Sequence, residues 1–278
     1  MTVFELRFEL ERILSAVTPV PTAETRWLLE HVLGLDSVGL LTAQRQVLSE
    51  TQLTQLRSLA MRRVRGEPLQ HVLGEAEFYG LKLRVTPDVL VPRPETERLV
   101  IYALDRLAPV AEPAVLDVGT GSGALALAMK RERPDAKVWA SDISAEALSV
   151  AAENAERLGL ELACVRSDLL AARDLRELAP RLDMLVSNPP YLPDADLLSL
   201  SPEVRRDPPG ALFAGPDGLD VFRRLLAEAE THLKPGAWLL AELDPRNVGA
   251  AAELAERWQS REILLDLTGR RRFLALNR

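Results

Sequence analysis

The stretch VLDVGTGSGALALA, residues 115–128, decides the fold of this chain. Its first residues complete an apolar run of strand length, and its alanine- and leucine-rich second half has the composition of a helix. Between them, Gly119, Gly121 and Gly123 let the backbone turn tightly and approach a ligand at the helix start, where free N–H groups point outward. A strand, a glycine turn and a helix in this order predict a ligand-binding α/β domain.

Outward from this turn, the chain alternates between strand-like and helix-like segments. Strands are predicted at residues 114–118, 137–142, 162–166, 183–188, 237–243, 261–267 and 271–277, with helices between the first five. The last two leave no room for a helix and therefore predict an antiparallel hairpin. The pattern is typical of an α/β fold with a seven-stranded, mostly parallel sheet and helices on both faces.

Three carboxylates lie close to the predicted carboxyl edge of this sheet. Asp117 precedes the glycines, Asp142 ends the second strand and Asp168 follows the third. Ligands of open α/β sheets collect at that edge, so each acid is a candidate ligand contact, and equally a candidate strand-end cap. The glycine spacing with Asp142, about 20 residues further on, also fits a dinucleotide fingerprint, so NAD is one candidate cofactor.

The fourth strand ends in a polar and aromatic corner, Ser187-Asn188-Pro189-Pro190-Tyr191. Two prolines remove two backbone donors and hold φ near about −65°, so the strand stops in a rigid turn. The Asn188 side-chain oxygen and the Pro189 carbonyl are left as acceptors for a planar NH2 group, and the Tyr191 ring offers it a flat face. The alternative interpretation is a rigid strand end with an Asx-type turn. A dehydrogenase does not need a corner that binds an NH2 group, so this corner argues against NAD as the cofactor.

Two further regions precede the sheet. Residues 1–65 carry apolar side chains at helical spacing and predict a small helical bundle, and residues 66–97 alternate between Gly, Pro and short apolar runs, as in a β-hairpin linker. The predicted organisation is therefore a bundle at 1–65, a linker at 66–97 and the sheet domain at 98–278. The bundle has no ligand-spaced His, Cys or carboxylate cluster, so it is either a substrate-docking element or a stabilising appendage.

Composition excludes several classes of function. The 278 residues carry a formal charge of −7, which argues against a main task of gripping nucleic-acid phosphates. The single cysteine, Cys164, has no partner for an internal disulfide, and no metal site is expected. The N-terminus has no secretion-signal pattern and no apolar run reaches the roughly 18 residues that span a bilayer, so we expect a cytoplasmic protein without membrane contact.

Two segments of the predicted linker narrow the choice of protein family. The segments GEAEFYG at residues 74–80 and PRPETE at residues 92–97, taken with the glycine turn and the Asn-Pro-Pro-Tyr corner, closely resemble the HemK family of bacterial release factor glutamine methyltransferases. The resemblance spans nearly the whole chain and is weakest in the helical bundle. Because the corner alone is shared with DNA adenine and cytosine amine methyltransferases, the linker segments and the acidic charge carry the narrower assignment.

The resemblance implies a class I methyltransferase fold, S-adenosylmethionine as cofactor and S-adenosylhomocysteine as its product. The implied substrate is the side-chain amide nitrogen of the glutamine in the Gly-Gly-Gln motif of peptide chain release factors, with no stable nucleic-acid binding. Implied cofactor contacts are Asp117, Gly119, Thr120, Gly121, Ser122, Gly123, Asp142, Asp168, Leu169 and Asn188. Implied substrate contacts are Asn188, Pro189, Pro190 and Tyr191, with Asn188, Pro189 and Tyr191 in the catalytic role.

Some positions depart from the family pattern. Asp207-Pro208-Pro209 stands where the family often has Glu-Pro-Arg, residues 244–247 (DPRN) stand where it has Gly-x-x-Gln, and Leu169 stands where an aromatic residue is common. These differences leave the corner intact and affect loop contacts to the substrate. They include part of the long connection 192–219. Because connections of this length are usually functional or disordered, we expect it to face the substrate, and the alternative is a surface excursion with a short helix.

Three other functions share part of this pattern. The same NH2 chemistry fits a glutamine of a ribosomal protein and an exocyclic amine of DNA or RNA. A protein that binds S-adenosylmethionine only as a sensor needs the glycine turn alone. The acceptor corner would then have no substrate to bind.

Overall fold

A computed structural model describes residues 1–278 and separates two compact units. The first unit comprises Met1–Glu75 together with Ser201–Arg206, and the second comprises Ala76–Leu200 and Asp207–Arg278. The predicted bundle, residues 1–65, lies within the first unit, whereas the predicted linker, residues 66–97, is divided between the two.

The first unit is a bundle of helices around a leucine-rich core. Its helices are α1 (Val3–Leu14), α2 (Pro21–Leu33), α3 (Ser37–Thr42), α4 (Glu50–Val64) and α5 (Leu69–Leu73). The hydroxyls of Thr2 and Ser49 cap α1 and α4 in capping boxes, which satisfy donors at each helix start. Gly34 ends α2 in the left-handed conformation at φ 65°, which glycine adopts without strain.

A buried ion pair ties α2 to α4. The Arg63 guanidinium donates from Nε to Glu24 Oε2 at 2.8 Å and from Nη2 to Glu24 Oε1 at 3.1 Å, and both side chains are more than nine-tenths buried. Glu203, on the returning segment Ser201–Arg206, accepts a further hydrogen bond from Arg63 Nη2 at 2.5 Å. A buried charge is tolerated only when it is paired, so this arginine depends on its carboxylates.

We expect Glu24→Ala to destabilise the first unit by about 3 kcal/mol, because the buried Arg63 guanidinium loses its bidentate partner. Hydrogen exchange of residues 1–75, followed by mass spectrometry, measures this as faster exchange. The matched control is Glu9→Ala, which breaks the more exposed pair between Glu9 and Arg57 and should change little. Equal exchange rates in the two variants would show that burial of the pair is irrelevant.

The hairpin strands are β1 (Glu75–Phe78) and β2 (Leu81–Arg84), and all of their residues except Glu75 belong to the second unit. Its large sheet contains β3 (Ala114–Val118), β4 (Lys137–Asp142), β5 (Ala163–Arg166), β6 (Met184–Ser187), β7 (Trp238–Glu242), β8 (Ser260–Leu265) and β9 (Arg271–Asn277). Its helices are α6 (Glu97–Leu107), α7 (Ala124–Glu132), α8 (Ala145–Leu158), α9 (Arg173–Leu178), α10 (Asp220–His232) and α11 (Val248–Leu254). The seven strands lie in the order β5-β4-β3-β6-β7-β9-β8.

The predicted fold class is confirmed: seven strands, mostly parallel, are covered by helices on both faces. All seven predicted strands are present, and the largest difference in bounds is at β8, which ends at Leu265 rather than at residue 267. Two features were not predicted. The hairpin places β9 inside the sheet, antiparallel to β7, and the short helix α11 separates β7 from β8.

The register of the parallel strands determines which residues meet at the carboxyl edge of the sheet. Val118 of β3 is opposite Ser141 of β4 on one side and Ser187 of β6 on the other. The residues that follow, Gly119 and Asn188, therefore leave the sheet at the same level, beside the end of β4. Alternate β3 side chains enter different cores, as the two-residue period of a strand requires.

The family-like linker segments have structural roles that sequence patterns do not reveal. The Glu97 carboxylate accepts a hydrogen bond at 2.7 Å from the backbone N–H of Tyr79, which has the unusual φ of 49°. The buried Asn154 side chain of α8 accepts from the Arg84 N–H at 2.6 Å and donates to the Ser122 carbonyl at 2.9 Å. The hairpin is thus fastened to α6 and, through Asn154, to the glycine turn.

Candidate functional site

A cavity of about 650 Å³ opens at the carboxyl ends of β3, β4 and β6, within the size range of small-molecule sites. It is lined by ten of the residues that the sequence singled out: Gly119, Thr120, Gly121, Ser122, Asp142, Asp168, Leu169, Asn188, Pro189 and Pro190. Asp117, Gly123 and Tyr191, which the sequence also singled out, are not among the lining residues.

The glycine turn leaves room in the cavity. Gly119, Gly121 and Gly123 have φ angles of 73°, 55° and 83°, which side chains disfavour. A Cβ atom on Gly119 or Gly121 would meet no protein atom within 4 Å, whereas one on Gly123 would lie 3.1 Å from Leu127 Cδ1. The first two glycines therefore keep the backbone accessible to a ligand, and the third permits close packing of α7.

The carboxylate of Asp142 ties the glycine turn to the start of α8. Its Oδ2 accepts a hydrogen bond from the Gly121 N–H at 3.0 Å, and its Oδ1 accepts one from the Ser144 N–H at 3.0 Å. Each carboxylate oxygen has capacity for a second hydrogen bond. The half-buried side chain is consequently held in one orientation while it still lines the cavity.

Asp117 is fully buried behind the turn and carries an unpartnered oxygen. Its Oδ2 accepts hydrogen bonds from Thr120 Oγ1 at 2.6 Å and from the Ala126 N–H at 3.2 Å, whereas its Oδ1 has no partner. Burial, with a smaller contribution from the charge of Asp142, raises the pKa of Asp117 to about 7. A buried acceptor without a partner is uncommon in folded proteins, so this oxygen marks the glycine turn as a candidate functional region.

The end of β5 contributes a charged and an apolar side chain. Asp168 Oδ2 accepts a hydrogen bond from Arg224 Nη2 at 2.6 Å, so its carboxylate is already engaged with α10. Leu169 is buried and has a φ of 52°, a strained value for a leucine and one that is typical of functional sites. Ile143, which is 64% exposed, lines the cavity beside Asp142 and adds a second apolar surface.

The corner after β6 presents its two oxygens without protein donors. The Asn188 amide donates from Nδ2 to Thr96 Oγ1 at 3.3 Å, and the protein donates no hydrogen bond to Asn188 Oδ1 or to the Pro189 carbonyl. Both acceptors that the sequence predicts are therefore available, as an NH2-binding corner requires.

Tyr191 has a different environment from the one that the sequence suggests. The ring is half-buried against the core of the sheet, and its hydroxyl donates to Glu242 Oε1 at 3.4 Å. Burial raises the pKa of this hydroxyl. Stacking of the Tyr191 ring on a bound amide remains a prediction, because the ring does not line the cavity.

The long connection 192–219 contributes part of the cavity wall. Its residues 208–211 line the cavity, and the preceding Asp207 accepts hydrogen bonds from Arg93 Nη2 at 2.5 Å and from the Val91 N–H at 3.3 Å. Asn247, the last residue of the second departure from the family pattern, donates to the Tyr191 carbonyl at 3.1 Å. Asp207 and Asn247 thus hold the loop and the corner in place, so these departures have a structural use.

Sequence reasoning missed several residues of the cavity wall. They include Phe78, Arg93, Thr96, Ile143 and Arg224. Arg93 and Thr96 belong to the segment PRPETE, which supported the family resemblance but gave neither residue a role. Ile143 directly follows Asp142 at the end of β4, and this position could have predicted that it lines the cavity. Arg224 lies within α10, where nothing in the sequence distinguishes it from other helical residues.

No helix is both long and apolar enough to span a bilayer, and no group of three His, Cys, Asp or Glu side chains is arranged to hold a metal ion.

Known protein families and curated relatives match residues in both units of this chain. Residues 5–74 match the family described as PrmC N-terminal domain, and residues 97–199 match the methyltransferase small domain. A release factor glutamine methyltransferase of Deinococcus radiodurans is 47% identical over 268 residues, which cover 96% of this chain and 95% of the relative. One of Geobacter sulfurreducens is 45% identical, covering 79% of this chain and 76% of the relative.

Solved structures share the fold at lower identity. A T. thermophilus 16S rRNA N2 G1207 methyltransferase, in complex with AdoMet and guanosine, has a TM-score of 0.54 at 20% identity and covers 73% of this chain and 49% of its own. A methyltransferase of Pyrococcus furiosus has a TM-score of 0.50 at 20% identity, covering 83% of this chain and 98% of its own. These similarities concern the fold alone.

The raised pKa of Asp117 predicts a stability that falls as the pH rises. The usual pKa of 3.8 applies to the unfolded chain, so between that value and about 7 the folded state keeps a proton that the unfolded state has released. Above that range the folded state must carry a buried charge with one unpartnered oxygen. We expect Asp117→Asn to stabilise the ligand-free protein at about pH 8 by on the order of 2–4 kcal/mol, and much less at about pH 4.

Urea unfolding across this pH range measures the effect. The control is Asp135→Asn, because the ion pair with Arg133 lowers the pKa of Asp135 to about 2, and removing that charge should cost stability at neutral pH. An Asp117→Asn variant that is less stable than the parent at about pH 8 would contradict the burial argument.

Proposed function

The chain belongs to the release factor glutamine methyltransferase family, and we propose that it carries out the reaction of that family. It transfers a methyl group from S-adenosylmethionine to the side-chain amide nitrogen of the glutamine in the Gly-Gly-Gln motif of peptide chain release factors, and S-adenosylhomocysteine remains. The observation that carries the proposal is a pair of acceptors that receive no hydrogen bond from the protein, Asn188 Oδ1 and the Pro189 carbonyl, at the wall of the cavity that the glycine turn helps to form.

The residues of the cavity fit the cofactor. S-adenosylmethionine supplies a methyl group on a positively charged sulfur, which is already activated. The buried carboxyl group of Asp117, which is bonded to Thr120 of the glycine turn, can interact electrostatically with its ammonium group. The fixed carboxylate of Asp142 suits the ribose diol. Ile143, after β4, and Leu169, after β5, offer apolar surfaces for a flat adenine, and Asp168, next to Leu169, suits its amine.

The corner orients a poor nucleophile. An amide lone pair is delocalised into its carbonyl, so the protein must hold the nitrogen in line with the methyl carbon. Asn188 Oδ1 and the Pro189 carbonyl accept one amide hydrogen each, which fixes the plane of the NH2 group. As the C–N bond forms and the C–S bond breaks, positive charge grows on nitrogen, and both oxygens stabilise it.

Proton removal needs no dedicated base. No histidine or cysteine lines the cavity. The nitrogen becomes strongly acidic once it is methylated, so one of its protons can leave to water as the bond forms. The residues therefore act mainly by alignment and electrostatics.

The partner is a protein rather than a nucleic acid. The formal charge of −7 disfavours binding to nucleic-acid phosphates. Relatives that match nearly the full length of this chain are named release factor glutamine methyltransferases. A ribosomal-protein glutamine or an exocyclic base amine offers the same NH2 group, so these are the substrates to compare.

Mass spectrometry tests the substrate directly. The protein is incubated with S-adenosylmethionine and, separately, with a release factor, ribosomal proteins or DNA. We expect one added methyl group on the Gly-Gly-Gln peptide of the release factor and none on a release factor whose motif glutamine is replaced by alanine. Methylation that appears only on ribosomal protein or on DNA would overturn the assignment.

Two substitutions should separate transfer from cofactor binding. Asn188→Ala removes one acceptor, so we expect methyl transfer to fall by about 5- to 150-fold with little change in cofactor affinity. Asp142→Ala should weaken cofactor binding first, because it removes the ribose contact and frees the glycine turn. Calorimetry with S-adenosylhomocysteine and steady-state rates measure both. Unchanged turnover in Asn188→Ala would remove Asn188 from the mechanism, and unchanged affinity in Asp142→Ala would remove the ribose assignment.

A further inference from the structure

We propose that Thr96 and Glu242 are positioning residues that hold the Asn188 side chain with its oxygen facing the substrate. The proposal rests on the function proposed above and assigns a role to the segment PRPETE, which the reaction itself leaves without one.

Three elements bring these side chains together. Thr96 ends the 3₁₀ turn Pro94–Thr96 ahead of α6, Glu242 is the last residue of β7, and Asn188 follows β6. Asn188 Nδ2 lies 3.3 Å from Thr96 Oγ1, and Thr96 Oγ1 lies 2.7 Å from Glu242 Oε2. Thr96 and Glu242 are 4% and 1% exposed, so water competes little for these hydrogen bonds.

The chemistry of the three groups sets the direction of the chain of hydrogen bonds. Arg272 Nη1 lies 3.6 Å from Glu242 Oε1, and Tyr191 OH donates to the same oxygen, so both contacts favour the carboxylate form of Glu242. A carboxylate only accepts hydrogen bonds, so the single hydroxyl hydrogen of Thr96 is donated to Glu242. The Thr96 oxygen can then only accept, and the end of the Asn188 amide that faces it must be the NH2 group. Asn188 Oδ1 is consequently directed away from Thr96, where it can accept from a substrate NH2.

A flipped Asn188 would fail on both sides. Its Oδ1 would face the Thr96 oxygen, which has no hydrogen left to donate, and its NH2 would face the NH2 of the substrate. An acceptor would then face an acceptor and a donor would face a donor, at the cost of unmade hydrogen bonds. The contact with Thr96 therefore selects the orientation that recognises an amide or amine donor.

Glu242 also supports the other side chain of the corner. Tyr191 OH donates to Glu242 Oε1 at 3.4 Å, and Arg272 Nη1 lies 3.6 Å from the same oxygen. Burial raises the pKa of Glu242, whereas Thr96, Arg272 and Tyr191 favour its carboxylate form and Glu95 opposes it. One buried carboxylate thus holds both Asn188, through Thr96, and Tyr191.

Thr96→Val tests the proposal, because valine keeps the shape of threonine and removes the hydroxyl. We expect kcat for release factor methylation to fall by about 5- to 50-fold, with the dissociation constant of S-adenosylhomocysteine changed less than about twofold. Thr96→Ser, which keeps the hydroxyl, should restore kcat. The matched control is Thr25→Val, a buried threonine of the first unit whose hydroxyl has no partner, and its kcat should not change.

Nuclear magnetic resonance gives a readout that does not depend on turnover. In the 15N-labelled protein, the Asn188 side-chain NH2 signal should show a hydrogen-bonded proton that is lost in Thr96→Val and regained in Thr96→Ser. An unchanged signal or an unchanged kcat in Thr96→Val would overturn the proposal, as would equal losses of kcat in the valine and serine variants. A parent protein that does not methylate release factors would contradict the proposed function instead, while the amide signal would still test the orientation.

Discussion

The alignment of β3 with both of its parallel neighbours is the constraint on which the site depends. Val118 lies opposite Ser141 and Ser187, so the glycine turn, Asp142 and the corner at Asn188 leave the sheet at one level. A slip of one residue would exchange the buried faces of the central strand and displace the corner from the turn. The two hydrophobic cores on either side of β3 hold this register.

Much of this arrangement could be predicted from local sequence. The strands are apolar runs with clear ends, the glycines require positive φ, and two prolines stop β6, so each signal lies within a few residues. The inner position of β9 has no comparable signal, because it depends on a buried run, Phe273–Leu276, that pairs with the distant β7. The roles of Thr96 and Glu242 were also hidden, since their contact joins residues separated by 146 positions.

Buried carboxylates connect stability with function in the second unit. Asp117 and Glu242 are almost completely buried, and burial raises the pKa of each. Such groups weaken the ligand-free fold, and they persist where they serve a ligand or an oriented hydrogen bond. Asp117 lies behind the glycine turn that we propose receives the cationic cofactor, whereas Glu242 has the proposed role of setting the direction of hydrogen bonds in the acceptor corner.

A crystal structure with S-adenosylhomocysteine and a peptide that contains the Gly-Gly-Gln motif tests this account most directly. The account predicts that the glutamine NH2 lies within hydrogen-bonding distance of Asn188 Oδ1 and the Pro189 carbonyl, while Asn188 Nδ2 stays on Thr96. A glutamine bound elsewhere, or an Asn188 side chain whose NH2 faces the substrate, would contradict it.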